Sequence, residues 1–244
     1  MLSYYMLLNG DCLLIMPTLE ANSVDMVLVD LPYGQTACKW DSEIDLVEMW
    51  FQLKRICKPS ANILFFCTTK FGNKLINSNE KWFRYDIVWQ KPKVSGFLSA
   101  KKAVLRKHEM IYLFGKPFNN GKAYNPQMTD GKPYHKKENA SSCSLYGDHT
   151  RQPYLCEDGK RYPTSILSFG FDREKLHRTQ KPVALCEWLI NTYSNEGDVV
   201  LDFTMGSGST GIACQNTNRE FIGIELDEEI FMIAEDRLNQ GETF

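Results

Sequence analysis

The segment Asp30–Gly34 (DLPYG) combines a carboxylate, a proline, an aromatic ring and a glycine within a few residues. It follows the apolar, partly β-branched run Val24–Val29, which is too short for a helix and indicates a buried strand. Ligands bind at the carboxyl ends of strands in open α/β sheets. The segment is therefore a candidate for chemistry, although a structural strand followed by a Pro-Gly turn has the same pattern.

A glycine-rich turn lies near the other end of the chain, at Gly206-x-Gly208-x-x-Gly211. An apolar run precedes it and a helical pattern follows it, as in dinucleotide-binding turns, where glycines let the backbone approach the ligand closely. Glu225 ends the next apolar run, where an acid accepts hydrogen bonds from ribose hydroxyls. Several adenosine-containing cofactors share this pattern, so an NAD-linked enzyme is an open alternative.

The position of the glycine turn predicts an unusual strand order. After Gly211 the chain has room for only one strand and one helix, and a nucleotide-binding sheet needs more strands than that. The other strands must come from the N-terminal half, which means that the sheet is assembled in permuted order. Asp30 and the glycine turn would then lie close together at one edge of one sheet.

Hydrophobic periodicity predicts the elements that position these residues. Strands are predicted over residues 4–11, 24–30, 63–67, 85–89, 110–114, 199–203 and 220–225. Helices are predicted over 44–57, 71–77, 183–193, 212–216 and 227–238, with a short helix or turn over 17–23. Residues 91–107 are predicted to form a loop, and no clear periodicity survives over residues 116–162, which are predicted to form an irregular insertion.

Composition bounds the class of protein. The 244 residues suit one large α/β domain, alone or with an insertion. There is no apolar run of 18 residues and no basic N-terminal region, which predicts a cytoplasmic protein without a membrane partner. The eight cysteines form no CxxC pair, which favours reduced thiols. Cys143, His149 and Cys156 are near in sequence, but a metal site there is disfavoured and none is predicted.

The charges are distributed unevenly along the chain. The formal net charge is −2, yet residues 81–182 hold 20 Lys and Arg against 9 Asp and Glu. Six of these bases lie between Lys91 and Lys107, where no acidic residue interrupts them. Such asymmetry is typical of a face that binds a polyanion. An ordinary lysine-rich surface is the alternative.

Taken together, the motifs resemble those of a β-class DNA amino-methyltransferase. DLPYG resembles the catalytic (D/N/S)PP(Y/F) motif, and NGDCL (9–13) the cofactor-adenine motif. KHEMIYLFGK (107–116) resembles a strand that follows the catalytic region. HRTQKP (177–182), VLDFTMGSGSTG (200–211) and FIGIEL (221–226) resemble the cofactor half. The order, with the catalytic motif first and the glycine motif last, defines the β class.

The resemblance implies an α/β, Rossmann-like S-adenosylmethionine-dependent methyltransferase fold. Its mostly parallel sheet is circularly permuted and carries an irregular target-recognition insertion. Residues 1–115 would form the catalytic half, 116–175 the target-recognition insertion and 176–244 the cofactor-binding half. A cognate restriction endonuclease and a second copy of the chain remain open as partners.

In this family, methyl transfer from S-adenosylmethionine is to an exocyclic amine of a DNA base that has left the helix. The resemblance implies that the Asp30 carboxylate and the Leu31 carbonyl accept the two amino hydrogens. Pro32 would hold the turn, and Tyr33 would stack on the base. The family usually has proline where this chain has Leu31, which supplies the same carbonyl but does not fix φ.

The resemblance also assigns residues to the cofactor. Asp11 and Cys12 would lie near the adenine of the cofactor, Glu225 on its ribose, and Asp30 beside it. Its methionine part would be surrounded by Phe203, Gly206, Ser207, Gly208 and Thr210, and its carboxylate covered by Thr179, Gln180 and Lys181. The excess of basic residues over 81–182 supplies the candidate DNA-binding residues, which are Lys91, Lys93, Lys101, Lys102, Arg106, Lys107, Lys136, Lys137 and Arg151.

The sequence thus predicts a DNA methyltransferase. In the family, aspartate rather than serine at the position of Asp30 favours N6 of adenine over N4 of cytosine. An N4-cytosine methyltransferase is the near alternative. A nucleic-acid-binding protein that keeps the cofactor fold but has impaired catalysis is the alternative from another class, motivated by Leu31.

Overall fold

The computed structural model describes residues 5–32, 43–117, 121–136, 139–143, 147–151, 154–173 and 180–240. The chain divides into two compact units. The larger unit comprises Met1–Asn125 and Ser165–Phe244, and the smaller unit is Pro126–Thr164. Within the described ranges, no helix is both long enough and apolar enough to cross a membrane.

The described helices all belong to the larger unit, and most of the strands do. The α-helices are α1 (Cys12–Ile15), α2 (Leu46–Ile56), α3 (Thr69–Ser78), α4 (Val183–Tyr193), α5 (Ser209–Asn216) and α6 (Glu228–Asn239). The strands are β1 (Tyr5–Asn9), β2 (Val24–Asp30), β3 (Cys57–Cys67), β4 (Phe83–Ser95), β5 (Arg106–Phe114), β6 (Tyr134–Lys136), β7 (Asn139–Cys143), β8 (Gly147–Arg151), β9 (Tyr154–Cys156), β10 (Ile166–Ser168), β11 (Val199–Asp202) and β12 (Glu220–Glu225). Short 3₁₀ helices occupy Met16–Thr18, Glu80–Trp82 and Phe97–Ser99.

Eight strands form one sheet in the order β1-β12-β11-β2-β3-β5-β4-β10. Neighbouring strands are parallel from β1 to β3 and again between β4 and β10. Strand β5 is antiparallel to both of its neighbours. Strand β11 pairs with β2 although the two are far apart in sequence. The mostly parallel, permuted sheet that the sequence predicted is confirmed.

Strand β2 lies in the middle of this sheet and is covered on both faces. Its residues Val24 and Met26 to Val29 are fully buried, which explains why the run is continuously apolar instead of alternating. Each such side chain contributes about 1.5–3 kcal/mol by leaving water. Burial on both faces holds the strand in register, and thereby places its last residue, Asp30, at the edge of the sheet.

Two hydrophobic cores flank the sheet. One contains the buried side chains of α1, α2 and α3, including Met49, Trp50 and Leu53 of α2. The other contains those of α4, α5 and α6, including Leu189 of α4 and Ile212 of α5. The helices therefore cover both faces of the sheet, as in other doubly wound α/β folds.

The chain leaves β2 and β11 in opposite directions across the sheet. From β2 it passes through α2 to β3, and from β11 it passes through α5 to β12 on the other side. Such a reversal opens a crevice at the carboxyl ends of the two strands, where ligands bind in open α/β sheets.

Strands β4 and β5 are longer than predicted and form an antiparallel hairpin that reaches Ser95 and Arg106. Residues 91–107 were predicted to form a loop, and this prediction was wrong at both ends of the segment. The polar side chains of this segment show no strand periodicity. Strand pairing nevertheless occurs, because it uses backbone N–H and C=O groups, and every residue except proline has both. Helix α1 was also missed, since it has only four residues; the Asp11 side chain caps it by accepting from Leu13 N at 2.8 Å.

The smaller unit contains two short antiparallel pairs, β6 with β9 and β7 with β8. The guanidinium of Arg161 lies 4.3 Å from the ring centroid of Tyr134. This unit, Pro126–Thr164, spans fewer residues than the insertion predicted over residues 116–175. Strand β10 falls inside that range but pairs with β4 in the main sheet, where Ile166 lies opposite Val88. A three-residue strand has no readable periodicity, so only its pairing reveals it.

Candidate active site

A cavity of about 1310 Å³ opens at the carboxyl ends of β2, β11 and β12. Asp30, Leu31 and Pro32 line it from β2, and the glycine turn after β11 lines it with Gly206 and Ser207. The hydroxyl of Thr204 donates to the Asp30 carbonyl at 3.0 Å and thereby joins the two strand ends directly. The structure therefore brings the two sequence motifs to one site.

At the end of β2, the Leu31 side chain is buried and the Asp30 carboxylate is accessible. The Leu31 side chain is buried in the core that contains α1, α2 and α3, which accounts for an apolar side chain at this position. The Asp30 side chain retains 27% exposure. Tyr33, the fourth residue of the predicted catalytic set, lies outside the described residues.

Lys181 forms ion pairs with two carboxylates in the site. Its ammonium forms an ion pair with the Asp30 carboxylate and a second one with Glu109 at 3.2 Å, and it lies 5.0 Å from the ring centroid of Phe66. Burial lowers the pKa of Lys181, but the two carboxylates raise it by more, so that its pKa is well above the ordinary value. Lys181 is therefore a cation at neutral pH.

The resemblance placed Lys181 over the carboxylate of a cofactor, whereas in the structure it contacts Asp30 and Glu109. Glu109 also forms an ion pair with Lys91 at 3.7 Å. Sequence reasoning missed Glu109, although it lies within the quoted KHEMIYLFGK segment. The signal that would have found it is its position in the amino-terminal half of β5. Because β5 is antiparallel to β3, this half lies beside the carboxyl end of β3, where Cys67 is opposite Met110, and only the strand order reveals this.

Asp202 ends β11 and is a second acid that sequence reasoning did not single out. It is 4% exposed and accepts hydrogen bonds from Thr210 Oγ1 at 2.7 Å and from Thr204 N at 3.2 Å. Burial raises the pKa of its carboxyl to about 7, against the opposite effect of the two hydrogen bonds. Thr210, predicted beside the methionine part of the cofactor, is the hydroxyl that orients Asp202.

Glu225 closes the glycine turn from the end of β12. Its carboxylate accepts from Gly206 N at 2.9 Å and from Asp227 N at 3.0 Å. Gly206 and Gly208 adopt φ of +54° and +80°, a backbone conformation that other residues rarely adopt. Gly206 lines the cavity and Gly208 does not, so Gly208 shapes the turn without lining the predicted cofactor site.

Asp11 and Cys12 line the cavity on the side of β1 and α1. Burial, and after it the Asp11 carboxylate, raises the pKa of the Cys12 thiol to about 12. The thiol is therefore neutral and unsuited to nucleophilic attack at neutral pH. Phe203 also lines the cavity while its side chain is only 1% exposed.

The segment before α4 is held by hydrogen bonds to Asp172 and to the glycine turn. Gln180 donates from Nε2 to Asp172 at 2.9 Å, and its Oε1 accepts from the Ser207 hydroxyl at 3.5 Å. Asp172 also accepts from the backbone of Val183 at 3.1 Å. Thr179 lies outside the described residues.

The predicted DNA-binding residues fall into two groups. Lys93, Lys101, Lys102, Arg106 and Lys107 are exposed on the β4–β5 hairpin, whereas Lys91 is half-buried against Glu109. Lys136 lies in β6 and Arg151 in β8 of the smaller unit, and Lys137 is outside the described residues. Among the described residues, no group of three or more His, Cys, Asp or Glu side chains could hold a metal ion.

Comparison with known proteins identifies the family. The sequence profile of a DNA methylase family that covers N6 and N4 methylation matches residues 24–236, which include both motifs and nearly all of the sheet. The chain belongs to this DNA methylase family. The segment at Asp30 and the glycine turn thus belong to one DNA methylase domain.

Relatives and solved structures agree with that family. The DNA methylase is 28% identical to the DNA adenine methyltransferase YhdJ of Escherichia coli (strain K12), over 96% of this chain and 82% of YhdJ. Its fold is similar to that of M1.HpyAVI, solved in complex with SAM, with a TM-score of 0.65, 24% identity and coverage of 96% and 100%. The cytosine-N4-specific PvuII DNA methyltransferase gives a TM-score of 0.66 at 16% identity, with coverage of 96% and 86%.

Proposed function

We propose that this DNA methylase transfers a methyl group from S-adenosylmethionine to N6 of adenine in DNA. The observation that carries the proposal is the Asp30 carboxylate, which lines the same cavity as the glycine turn and is held there by Lys181. A relative that is named as an adenine methyltransferase supports the choice of base. In the family, aspartate at the position of Asp30 favours adenine as well.

The cavity suits S-adenosylmethionine, which supplies an electrophilic methyl group on a sulfonium sulfur. Two glycines with positive φ keep the backbone of the turn close to the cavity, and Glu225 presents a carboxylate at the end of β12 that accepts from ribose hydroxyls. Asp11 and Cys12 lie where the resemblance assigns the adenine ring. The described residues therefore fit this cofactor.

Asp30 is the proposed catalytic acceptor. The amino nitrogen of adenine is a poor nucleophile because its lone pair is delocalised into the ring. When the Asp30 carboxylate and the Leu31 carbonyl accept its two hydrogens, the nitrogen moves toward tetrahedral geometry and its lone pair becomes available. The cofactor would supply the methyl group and keep its sulfur as a neutral thioether, and the Asp30 carboxylate would accept the proton that the methylated nitrogen loses. Oriented acceptors stabilise the positive charge that develops on the nitrogen.

The ion pairs of Lys181 keep this acceptor in place. Lys181 reaches Asp30 from the segment before α4 and Glu109 from β5, so the carboxylate is tied to two further parts of the fold. Pro32 restricts the backbone that follows Leu31. We assign Tyr33 to stacking on the flipped base, and we assign target recognition to residues 116–175, which contain the smaller unit.

N4 methylation of cytosine is the second candidate, because the fold is also similar to that of a cytosine-N4-specific enzyme. The test is transfer of labelled methyl from S-adenosylmethionine to DNA of mixed sequence, followed by mass spectrometry of the nucleosides. Labelled N6-methyladenine supports the proposal, and labelled N4-methylcytosine replaces it with the second candidate.

Two further outcomes would contradict both candidates. Binding of S-adenosylmethionine without transfer to any DNA would leave a nucleic-acid-binding protein with impaired catalysis. Binding of NAD instead of S-adenosylmethionine would point to an NAD-linked enzyme. The Asp30→Ala variant, which we expect to be inactive, serves as the background for the labelling.

A further inference from the structure

The tip of the β4–β5 hairpin, residues 96–105, exposes an unusual set of apolar side chains. Leu98 and Val104 are 106% and 97% exposed, and Phe97 is 68% exposed. Exposed apolar side chains that lie together indicate a binding surface more often than isolated ones do. We therefore treat the tip as a candidate binding surface.

The backbone of the tip has a defined shape. Gly96 adopts φ of +92° and turns the chain out of β4 into the 3₁₀ helix Phe97–Ser99. Successive turns continue from there, with Ser99 N donating to Gly96 O at 2.9 Å and Lys102 N donating to Ser99 O at 2.8 Å. These hydrogen bonds present Phe97 and Leu98 on a compact turn.

The tip also borders the catalytic cavity. Ser95, Gly96 and Leu98 line the same cavity as Asp30 and Lys181. A substrate base that reaches Asp30 must therefore come close to Leu98.

The charges around the tip indicate which class of molecule it binds. Five exposed bases flank the apolar side chains: Lys93, Lys101, Lys102, Arg106 and Lys107. None of them forms an ion pair with a carboxylate in the part of the chain that the structure describes. Apolar side chains flanked by exposed cations match a DNA duplex, whose phosphates surround an apolar stack of bases.

We propose that Phe97 and Leu98 enter the base stack beside the target base and occupy the space that this base leaves when it flips, while the flanking bases bind phosphates. The proposal rests on the proposed function, since only a base that must leave the duplex creates such a space. Extrusion of a base costs a few kcal/mol, and apolar wedges between bases are known to stabilise unstacked DNA. Leu98 is the leading candidate because it also lines the cavity.

The test compares two DNA substrates that contain the enzyme's methylation site, which is first mapped by methylation-sensitive sequencing of DNA that the enzyme has modified. One is the intact duplex, and in the other the target base faces an abasic position and is already unpaired. For Phe97→Ala/Leu98→Ala we expect kcat/KM to fall about 30-fold or more on the intact duplex, since flipping costs a few kcal/mol. On the abasic duplex we expect a fall of less than about 3-fold for the same reason.

Two controls separate the explanations. Phe51→Ala removes a phenylalanine of similar exposure from α2 and should leave both substrates unaffected. Lys101→Gln/Lys102→Gln should weaken binding to both substrates equally and reduce the salt slope by about 2, because two phosphate contacts are lost. Affinity for S-adenosylmethionine should be unchanged in all variants.

Several outcomes would overturn the proposal. Equal losses on the two substrates would limit the tip to general binding. No loss on either substrate would remove the tip from the reaction. A change of oligomeric state in sedimentation, without a dependence on the abasic site, would identify the tip as an interface between copies of the chain. If instead the unmodified enzyme methylates no DNA, the proposed function itself has failed.

Discussion

Strands β2 and β11 are neighbours in the sheet, and each ends in an aspartate, but the two carboxylates have different surroundings. Asp202 is 4% exposed and bound by Thr210 and Thr204 from its own turn. The Asp30 side chain is 27% exposed and paired with Lys181, from a distant part of the chain. The comparison teaches that equivalent positions in a sheet acquire different chemistry from the groups that reach them.

The hydrogen bonds divide the cavity into two sides. On the side of β11 and β12, Asp202 and Glu225 use their oxygens to hold the glycine turn. On the side of β2, the charges are shared among Asp30, Lys181 and Glu109. We infer that the first side is a cofactor cradle and that the second side meets the substrate base.

The largest effect is expected from Asp30→Ala, which removes the proposed acceptor. Methyl transfer should fall about 10³-fold, because an oriented acceptor for developing charge is typically worth 10²–10³-fold. The affinity for S-adenosylmethionine, measured by calorimetry, should stay within about 3-fold, since binding uses the other side of the cavity. Asp25→Asn, at the start of the same strand, is the matched control and should remain active. Normal turnover by Asp30→Ala would exclude this residue from catalysis.

Lys181→Met should have the next largest effect. It leaves the carboxylates of Asp30 and Glu109 without their shared cation, so that no ion pair with Lys181 holds Asp30 in place. We expect methyl transfer to fall about 10²-fold at pH 7, comparable with the loss of one stabilising group. Adding Glu109→Gln removes the repulsion and should restore activity near neutral pH. If Lys181→Met alters only the KM for S-adenosylmethionine, the lysine binds the cofactor instead.

Asp202→Asn tests the buried carboxyl at the end of β11 through its effect on the free energy of unfolding. With a pKa of about 7, folded Asp202 binds a proton between about pH 4 and 7 that the unfolded chain has lost. The group therefore lowers the free energy of unfolding as the pH rises through this range. Asparagine does not ionise, so at pH 8 the variant should be more stable by about 4 kcal/mol, or roughly 8–16 °C in Tm. At pH 4 the two proteins should unfold alike, and a gain of equal size at both pH values would contradict the assignment.

Glu225→Gln should change binding and not the chemical step. The amide keeps the shape of the side chain but is a weaker acceptor for ribose hydroxyls and for Gly206 N. We expect the Kd for S-adenosylmethionine to rise about tenfold, the usual worth of a charge-assisted hydrogen bond. The kcat at saturating S-adenosylmethionine should be unchanged. Glu220→Gln, at the start of the same strand, is the control, and a fall in kcat would place Glu225 in the reaction.

The smallest effect concerns the basic hairpin. DNA affinity should decrease steeply with salt, and Lys93→Gln should reduce the slope of log K against log salt by about 0.9, the loss of one phosphate contact. Lys91→Gln should not change the slope, because the Lys91 ammonium is paired with Glu109. A flat salt dependence of the unmodified protein would remove this hairpin from the DNA-binding surface.

Local sequence was sufficient for much of the fold. The run from Val24 to Val29 predicted β2 because a strand buried on both faces must be apolar throughout. The glycine spacing predicted the turn between β11 and α5, and its distance from the C-terminus predicted the permuted sheet. The conformation of short apolar segments and glycine turns is decided by neighbouring residues, so these features can be read from sequence.

Only the tertiary structure decided the charge arrangement of the site. Lys181 and Asp30 are 151 positions apart, and their contact arises because β2 and the segment before α4 meet at one edge of the sheet. The ion pair of Glu109 and the burial of Asp202 follow from strand order and packing. Electrostatic interactions depend on distance and burial in space, which no local pattern encodes. The sequence by itself therefore determined which motifs are present, and the tertiary structure decided which charges they meet.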